Sequence, residues 1–356
     1  MEGFEPKIDA IWKKRDIVGI DIGSRSIKFV QLRRFGIGSE VVGFAQIPVP
    51  ENYIIEGIVA EPEKLSEAIL ACLKDGVTGR ITAKRVYASL PESKIFTRTI
   101  SLPRGDEKSI EEAVNWDASQ TVPMSMSDLY LDYQVIGPSH EDPKLDEVLY
   151  AAAPKAIVNS YVQLYQLCGF ELVGIETSLT AIIRAMNPKR KSKEATLIID
   201  IGGQTTNLAI YDDAIRVTGS TLIGGEQLTY RIAEALKISE VSAEKLKRQK
   251  SAKDGEKTKV ALESAVSEMS REAVNMINYY EEKSKSQIKV TRVFLCGGSA
   301  SLPTLTEVFK EKLAIPTEVV NTVEEMTFSK KALMPTEEVP AYVNAIGLAL
   351  LGVRDD

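Results

Sequence analysis

Histidine is nearly missing from this chain. Among 356 residues there is one, His140, set in the polar, proline-flanked stretch GPSHEDPK, which reads as a surface loop. A Ser/His/Asp triad or a histidine-rich zinc site therefore has almost no material to work with. Cysteine is almost as scarce. Cys72, Cys168 and Cys296 are odd in number, far apart and each in an apolar context, so they read as buried reduced thiols. No apolar run approaches the roughly 20 residues that span a bilayer. The opening MEGFEPKIDAIWKKRD also lacks the apolar core of a signal peptide, so a cytoplasmic protein without direct membrane insertion is expected. An excess of positive charge is missing too: the net charge of −6 and pI near 5.3 give no global attraction for nucleic acid. Finally, neither G-x-x-x-x-G-K-[ST] nor G-x-G-x-x-G occurs, which excludes the two familiar glycine loops that open onto a helix.

What remains is a chain with 44% hydrophobic residues, long enough for two domains or one bilobal unit. Two stretches carry the same pattern. VGIDIGSRSIKFVQL (18–32) and LIIDIGGQTTNLAIY (197–211) each place an aspartate and a glycine turn after an apolar run, then return to strand formers. Asp21 and Asp200 lie half a chain apart and align without a gap, which implies two related halves. Each turn is expected to join antiparallel strands. A glycine hairpin tip can hold phosphate through converging backbone N–H groups, with no helix behind it. The hydroxyls of Ser24, Ser26, Thr205 and Thr206 add donors at the rim, and Lys28 points a cation the same way. An aspartate at a strand end is costly to bury alone, and Mg²⁺ held mainly through water is a fitting partner.

Between the two hairpins the pattern reads strand (94–100), helix (107–120), strand (129–136), strand (147–153), helix (155–168), strand (170–175). That order, β-α-β-β-α-β, is expected to be a compact module inserted into the first half. Residues from Gly224 to about Ser286 read as helical. The basic runs PKRKSK (188–193) and KLKRQKSAKDGEKTK (245–259) read as an exposed linker and a solvated face. VTRVFLCGGSASLPTL reads as strand, double glycine and helix start, with Pro303 in the first turn. In PAYVNAIGLALLG, Ala341, Ala345, Ala349 and Gly352 give a helix a face of small residues that allows close packing.

These motifs resemble those of the bacterial actin-like ATPases. DIGSRSIKFVQL is similar to the first phosphate motif, DIGGQTTNLAI to the second, GGSASLPTL to the adenosine motif and AYVNAIGLAL to the second connecting helix. Within that superfamily the chain resembles, from about Asp16 to Gly352, the PilM family of type IV pilus assembly proteins, relatives of FtsA. The resemblance implies an α/β, bilobal, ribonuclease H-like fold with the inserted module as subdomain 1C. It implies an N-terminal arm (1–15), subdomain 1A (16–92, completed by 176–195 and 338–356), 1C (93–175), 2A (196–223 and 287–337) and 2B (224–286). Its implied cofactors are ATP and Mg²⁺. Asp21 and Asp200 would flank the metal, and Gly23, Ser24, Arg25, Ser26 with Gly202, Gly203, Gln204, Thr205 and Thr206 would cradle the phosphates beside Lys28. Gly225, Glu226, Gly297, Gly298 and Ser299 would face the nucleoside.

Glu176, in GIETSLTAI, falls where hydrolysing relatives place a catalytic residue, but the proline and paired alanines that usually follow are absent, so weak or no hydrolysis is expected. The implied partner is the short cytoplasmic N-terminal segment of a PilN-like inner-membrane protein, which would hold the chain at the inner face of the membrane. The rival readings are an FtsA-like filament former that self-associates through the module, and a small-molecule kinase. The apolar-basic stretch IDAIWKKR is too short to anchor to a membrane by itself and reads as an arm.

Overall fold

The computed structural model describes residues 17–36, 38–186, 194–248, 255–285, 287–320 and 326–353. The N-terminal arm and PKRKSK lie outside the described residues, as does the middle of the 245–259 run. The first lobe begins with the antiparallel strands β1 (Ile17–Ile22), β2 (Ser26–Phe35) and β3 (Gly38–Pro48). The short pair β4 (Ile54–Ile55) and β5 (Ile58–Val59), helix α1 (Pro62–Asp75), β6 (Thr78–Gly79) and β7 (Arg85–Leu90) follow. Next come β8 (Phe96–Pro103), α2 (Glu107–Thr121), β9 (Leu129–Pro138), β10 (Leu145–Pro154), α3 (Lys155–Leu167), β11 (Glu171–Thr177) and α4 (Ser178–Met186). The second lobe holds β12 (Glu194–Ile201), β13 (Thr206–Tyr211), β14 (Ile215–Thr221), α5 (Gly225–Leu236), α6 (Glu240–Arg248), α7 (Gly255–Lys283), β15 (Lys289–Cys296), α8 (Pro303–Leu313) and β16 (Thr317–Val319). The chain then returns through β17 (Met326–Phe328) to α9 (Val339–Leu350).

The two main sheets repeat one plan. The first runs β11-β7-β1-β2-β3-β17, the second β16-β15-β12-β13-β14. In both, the hairpin strand pairs antiparallel with its successor and parallel with a strand reached by a helical crossover. Parallel strands need both faces covered, and β1 and β12 accordingly read as almost unbroken apolar runs, IVGIDI and EATLIIDI. The expected duplication of halves is thus a duplication of sheets.

Between the sheets lie α4 and α9. Every residue of α9 except Ala341 is buried, which explains its apolar character all round. The two helices cross so closely that a Cβ on Gly347 would overlap the Ala181 carbonyl, and one on Gly19 would overlap the Ala345 carbonyl of α9. The small-residue face read from the sequence has this role. Helices α5 and α7 share one apolar core with β12, β13 and β15, so the region expected as 2A and 2B is joined by Leu197, Ile199, Leu228, Ile232, Met269 and their neighbours.

Two boundaries differ from the sequence expectation. The six elements of the insertion occur in the order read, but β11 pairs in parallel with β7 in the first-lobe sheet. Likewise α3 buries Ile157, Tyr161, Leu164 and Tyr165 among Val86, Ala88 and Leu65 of that lobe. The inserted module is therefore the sheet β8-β10-β9 covered by α2, with its own small core of Val114, Ala118, Leu129, Val148 and Tyr150. The apolar stripe of α3 is too wide for so small a sheet and is satisfied only on the larger one. Second, β17, expected in the second lobe, pairs with β3 in the first. A three-residue strand takes its place from its partner, not from its own pattern.

Replacing Gly347 by alanine should cost about 3 kcal/mol, because helix backbones cannot make room as a side chain can. Urea unfolding of the variant measures this; a loss under about 0.5 kcal/mol would mean that the helices are free to separate.

Candidate functional site

The two hairpins fold alike. On β1, Asp21 stands opposite Lys28, and the turn closes with Gly23 N–H donating to the Ser26 carbonyl at 3.0 Å. On β12, Asp200 stands opposite Asn207, and Gly202 N–H donates to the Thr205 carbonyl at 2.9 Å. The tips meet across the lobes: a Cβ on Gly203 would lie 2.8 Å from Ser24 Oγ and 2.9 Å from Arg25 Cγ. Beside them Arg25 Nε donates to Glu226 Oε1 at 2.6 Å, an exposed bridge from the first lobe to the second and of modest strength.

The start of α5 rests on the second tip, with Gly225 N–H donating to the Gly202 carbonyl and Glu226 N–H to that of Gly203, both at 2.9 Å. The loop after β15 closes the arrangement. Gly297 has φ of +90°, and a Cβ there would be 2.6 Å from Asp200 Oδ1; a Cβ on Gly225 would lie 2.5 Å from Ser299 Oγ. Gly298 faces open space. Asp21, Asp200, the two tips, Gly225, Glu226 and Gly297 to Ser299 therefore converge.

Two expected residues behave differently. The Thr206 hydroxyl is fully buried and donates to the Ile223 carbonyl at 2.7 Å, away from the rim, because position 206 pairs with Ile201 on the inward face of the hairpin. Glu176 sits opposite Ser89 in the sheet, but its carboxylate is taken by Arg184, whose Nη1 and Nη2 donate at 2.5 and 2.7 Å. Arg184 also donates to the Gly347 carbonyl at 3.1 Å, so Arg184 fastens α4 to α9 and Glu176 of β11 holds the guanidinium in place.

Asn344, Lys247 and Glu92, which the sequence reading passed over, complete the site, and Lys28 stands beside Asp21 as expected. Asn344 of α9 donates to Asp21 Oδ1 at 2.8 Å and to Ser89 Oγ at 3.0 Å. Lys28 Nζ is 3.7 Å from Asp21 Oδ2. Lys247 donates to the Gly225 carbonyl at 2.9 Å, behind the start of α5. Glu92, just after β7, is buried and accepts from Ser178 Oγ at 3.3 Å and Leu179 N–H at 3.4 Å, capping α4. Thr177 also caps α4, accepting the Thr180 N–H at 3.3 Å, so nothing in the local sequence pointed to Glu92.

Charge is left unbalanced here. Burial pushes the Asp200 carboxyl up to about 6, and the negative charge of Asp21 pushes the same way, while Lys28 and hydrogen bonds from Asn207 and Cys296 oppose it. Burial likewise pushes Glu92 up to about 7, against its hydrogen bonds to Leu179 and Ser178 and helped by Asp200. The amide oxygens of Asn207 and Asn344 are buried without a partner. Two carboxylates that raise each other's cost and two orphaned amide oxygens are the donor set of a hard, hydrated cation. Among the described residues no cluster of three or more His, Cys, Asp or Glu forms a metal cage. A metal here would thus be held in large part by water or by a ligand's own oxygens.

Glu92 makes the ligand-free protein sensitive to pH. Its folded value near 7 lies above the ordinary 4.5, so its contribution to stability is complete below about 4.5 and is lost as pH rises through about 7. Urea unfolding at pH 5.5 and 8 should show a loss on the order of 2 kcal/mol at the higher pH. Glu92→Gln should remove most of that difference; a wild-type slope retained in the variant would assign it elsewhere.

Comparison with known proteins gives the family and the fold. The sequence model of the type IV pilus assembly protein PilM matches residues 19–353. The cell division protein FtsA of Pseudomonas aeruginosa is 27% identical over 209 residues, 52% of this chain and 49% of that protein. FtsA of Enterococcus hirae is 28% identical over 254 residues, 65% of this chain and 56% of that protein. The chain spans about half the length of the curated relatives it matches. A solved PilM-PilN type IV pilus biogenesis complex contains a chain of the same fold, with TM-score 0.81 and 24% identity over 96% of this chain and all of that one. MreB5 of Spiroplasma citri bound to ADP shares the fold more distantly, with TM-score 0.54 and 13% identity over 95% of this chain and 96% of that one. With actin-like lobes, paired glycine hairpins and a family match over nearly its whole length, the chain belongs to the PilM family of type IV pilus assembly proteins.

Proposed function

We propose that this chain is an ATP-binding adaptor of a type IV pilus machinery. It holds Mg-ATP between its two hairpins and binds the short cytoplasmic N-terminal segment of a PilN-like inner-membrane protein. The observation that carries the nucleotide reading is the convergence of Asp21 and Asp200, one from each lobe, with negative charge that Lys28 offsets only in part. Backbone N–H groups at 24–26 and 203–205 would receive phosphate oxygens, those of Gly23 and Gly202 being spent on closing the turns, and Lys28 would add positive charge. Asp21 and Asp200, with the free amide oxygens of Asn207 and Asn344, would orient the water shell of Mg²⁺. Gly297 to Ser299, Gly225 and Glu226 would face the nucleoside. Bound Mg-ATP would supply the charge that ties the lobes together.

Partner binding is supported by the likeness to a PilM chain solved with PilN. The inserted module offers a surface for it: a groove of about 440 Å³ lined by Glu107, Ile110, Asp132, Tyr133 and Val135, along the seam of α2 and the edge strand β9. Among the described residues no helix is long and apolar enough to cross a membrane, so the inner-membrane address would come from the partner. The kinase reading loses the acid on which it rested, since Glu176 is engaged by Arg184.

An acid that costs stability and serves a ligand leaves a distinct mark when removed. Asp200→Ala should melt higher than wild type without ligand at pH 7.5, yet lose the upward shift that Mg-ATP gives wild type. Lys28→Ala should weaken Mg-ATP binding by about tenfold in calorimetry. The reading fails if wild type shows neither heat nor a thermal shift with Mg-ATP. Recruitment is measured separately, by affinity for a PilN-like N-terminal peptide with and without Mg-ATP, and equal values would remove the nucleotide control.

A further inference from the structure

The only histidine is not in a solvated loop, as its sequence context suggests. His140, in the β9–β10 turn of the inserted module, reaches the second lobe, where its Nε2 lies 2.8 Å from Asp212 Oδ2. Asp212 is 1% exposed, in the β13–β14 turn, and also receives Arg216 Nε from β14 and the hydroxyl of Tyr280 from α7. Arg216 reaches back to the module, donating from Nη1 to Glu147 Oε2 on β10 at 2.7 Å. Glu147 is 2% exposed and is met by Lys283 of α7 at 3.5 Å and by Ser139 Oγ at 3.3 Å. Lys285 donates to the Glu141 carbonyl at 2.8 Å, and β8 packs along β14.

The cluster is balanced. Asp212 and Glu147 face Arg216 and Lys283, with His140 as a neutral partner or an added cation. Burial alone would push Asp212 up, but the His140 contact and the Arg216 charge outweigh it and hold the carboxyl below its usual range. Burial alone would lower Arg216, and the charges of Asp212 and Glu147 outweigh that too. Separating such groups leaves buried charge without compensation, which costs far more than breaking an exposed pair. The side-chain hydrogen bonds between the module and α3 are exposed, Lys155 to the Ser127 carbonyl and Tyr130 to Asn159, and of the module's strands only the end of β10, at Ala153, enters the buried first-lobe core.

We propose that this buried charge cluster makes the inserted module move with the second lobe, although the first lobe supplies both of its chain connections, with Arg216 as the fastening residue. The connections near residues 91–95 and 154–155 are then hinges, and movement between the lobes turns the module against α1 and α3. This last step rests on the nucleotide reading above. Mg-ATP that draws the hairpins together would reposition the module and whatever it carries. The module is thus a lever between the cleft and a partner.

Amide hydrogen exchange on the full chain tests this with wild type, Arg216→Ala and Glu147→Gln, each with and without Mg-ATP. Without nucleotide, both variants should exchange β8, β9 and β10 amides about tenfold faster than wild type, with β1, β2, β12 and β13 unchanged. With Mg-ATP, wild type should gain protection at both hairpin tips and along β8 and β14, and the variants only at the tips. If Arg216→Ala does not fold, the milder Glu147→Gln decides. Module exchange equal to wild type in folded Glu147→Gln overturns the proposal, as does an equal rise throughout the second lobe. Module protection by Mg-ATP that survives in the variants overturns the lever. Absence of protection at the tips of all three proteins defeats the nucleotide reading, and the ligand-free comparison then decides the fastening by itself.

Discussion

Two carboxylates of like charge, brought from opposite halves of the chain to one junction, are the constraint around which this molecule is organised. Asp21 and Asp200 occupy the same place in two copies of one hairpin, next to the last residue of a strand buried on both faces. A strand of that kind leaves a carboxylate little water, so each acid recruits what lies near: Lys28, Ser89 and Asn344 for the first, Asn207 and Cys296 for the second. The recruited groups do not balance the charge. A site built to be satisfied only by something that is not protein is the physical form of a ligand requirement.

The molecule holds a second buried charge set, and the contrast between the two is informative. Around Arg216 two acids face two fixed cations within hydrogen-bonding or near-contact distance, and nothing further is called for. At the hairpins two acids face one lysine, and two amide oxygens are left over. The first set binds one part of the chain to another. The second leaves negative charge and amide oxygens without a protein partner, which is the feature on which the proposed nucleotide site rests.

Between them, α4 and α9 carry the geometry. They are close enough to need glycine at 347, they are fastened by Glu176 and Arg184, and they supply Asn344 to the cleft and an N-terminus to Glu92. Core and site share these helices, so a change in how the lobes pack is also a change at the acids.

The amino-acid sequence by itself determined the local elements and the pairing of the hairpins, because both arise from short-range chemistry. Glycine turns after apolar runs, β-branched strands and the spacing of small residues on α9 act within a few positions, and the six elements of the insertion appear in the order read. Tertiary structure alone decided the rest. It moved α3 and β11 into the first lobe, since an apolar stripe settles on the largest sheet it can reach. It turned Thr206 inward, gave Glu176 to Arg184 and seated His140 against Asp212. Each of these outcomes depends on a partner distant in sequence, and the energy of burying a charge or a hydroxyl is fixed by that partner and not by the neighbours along the chain.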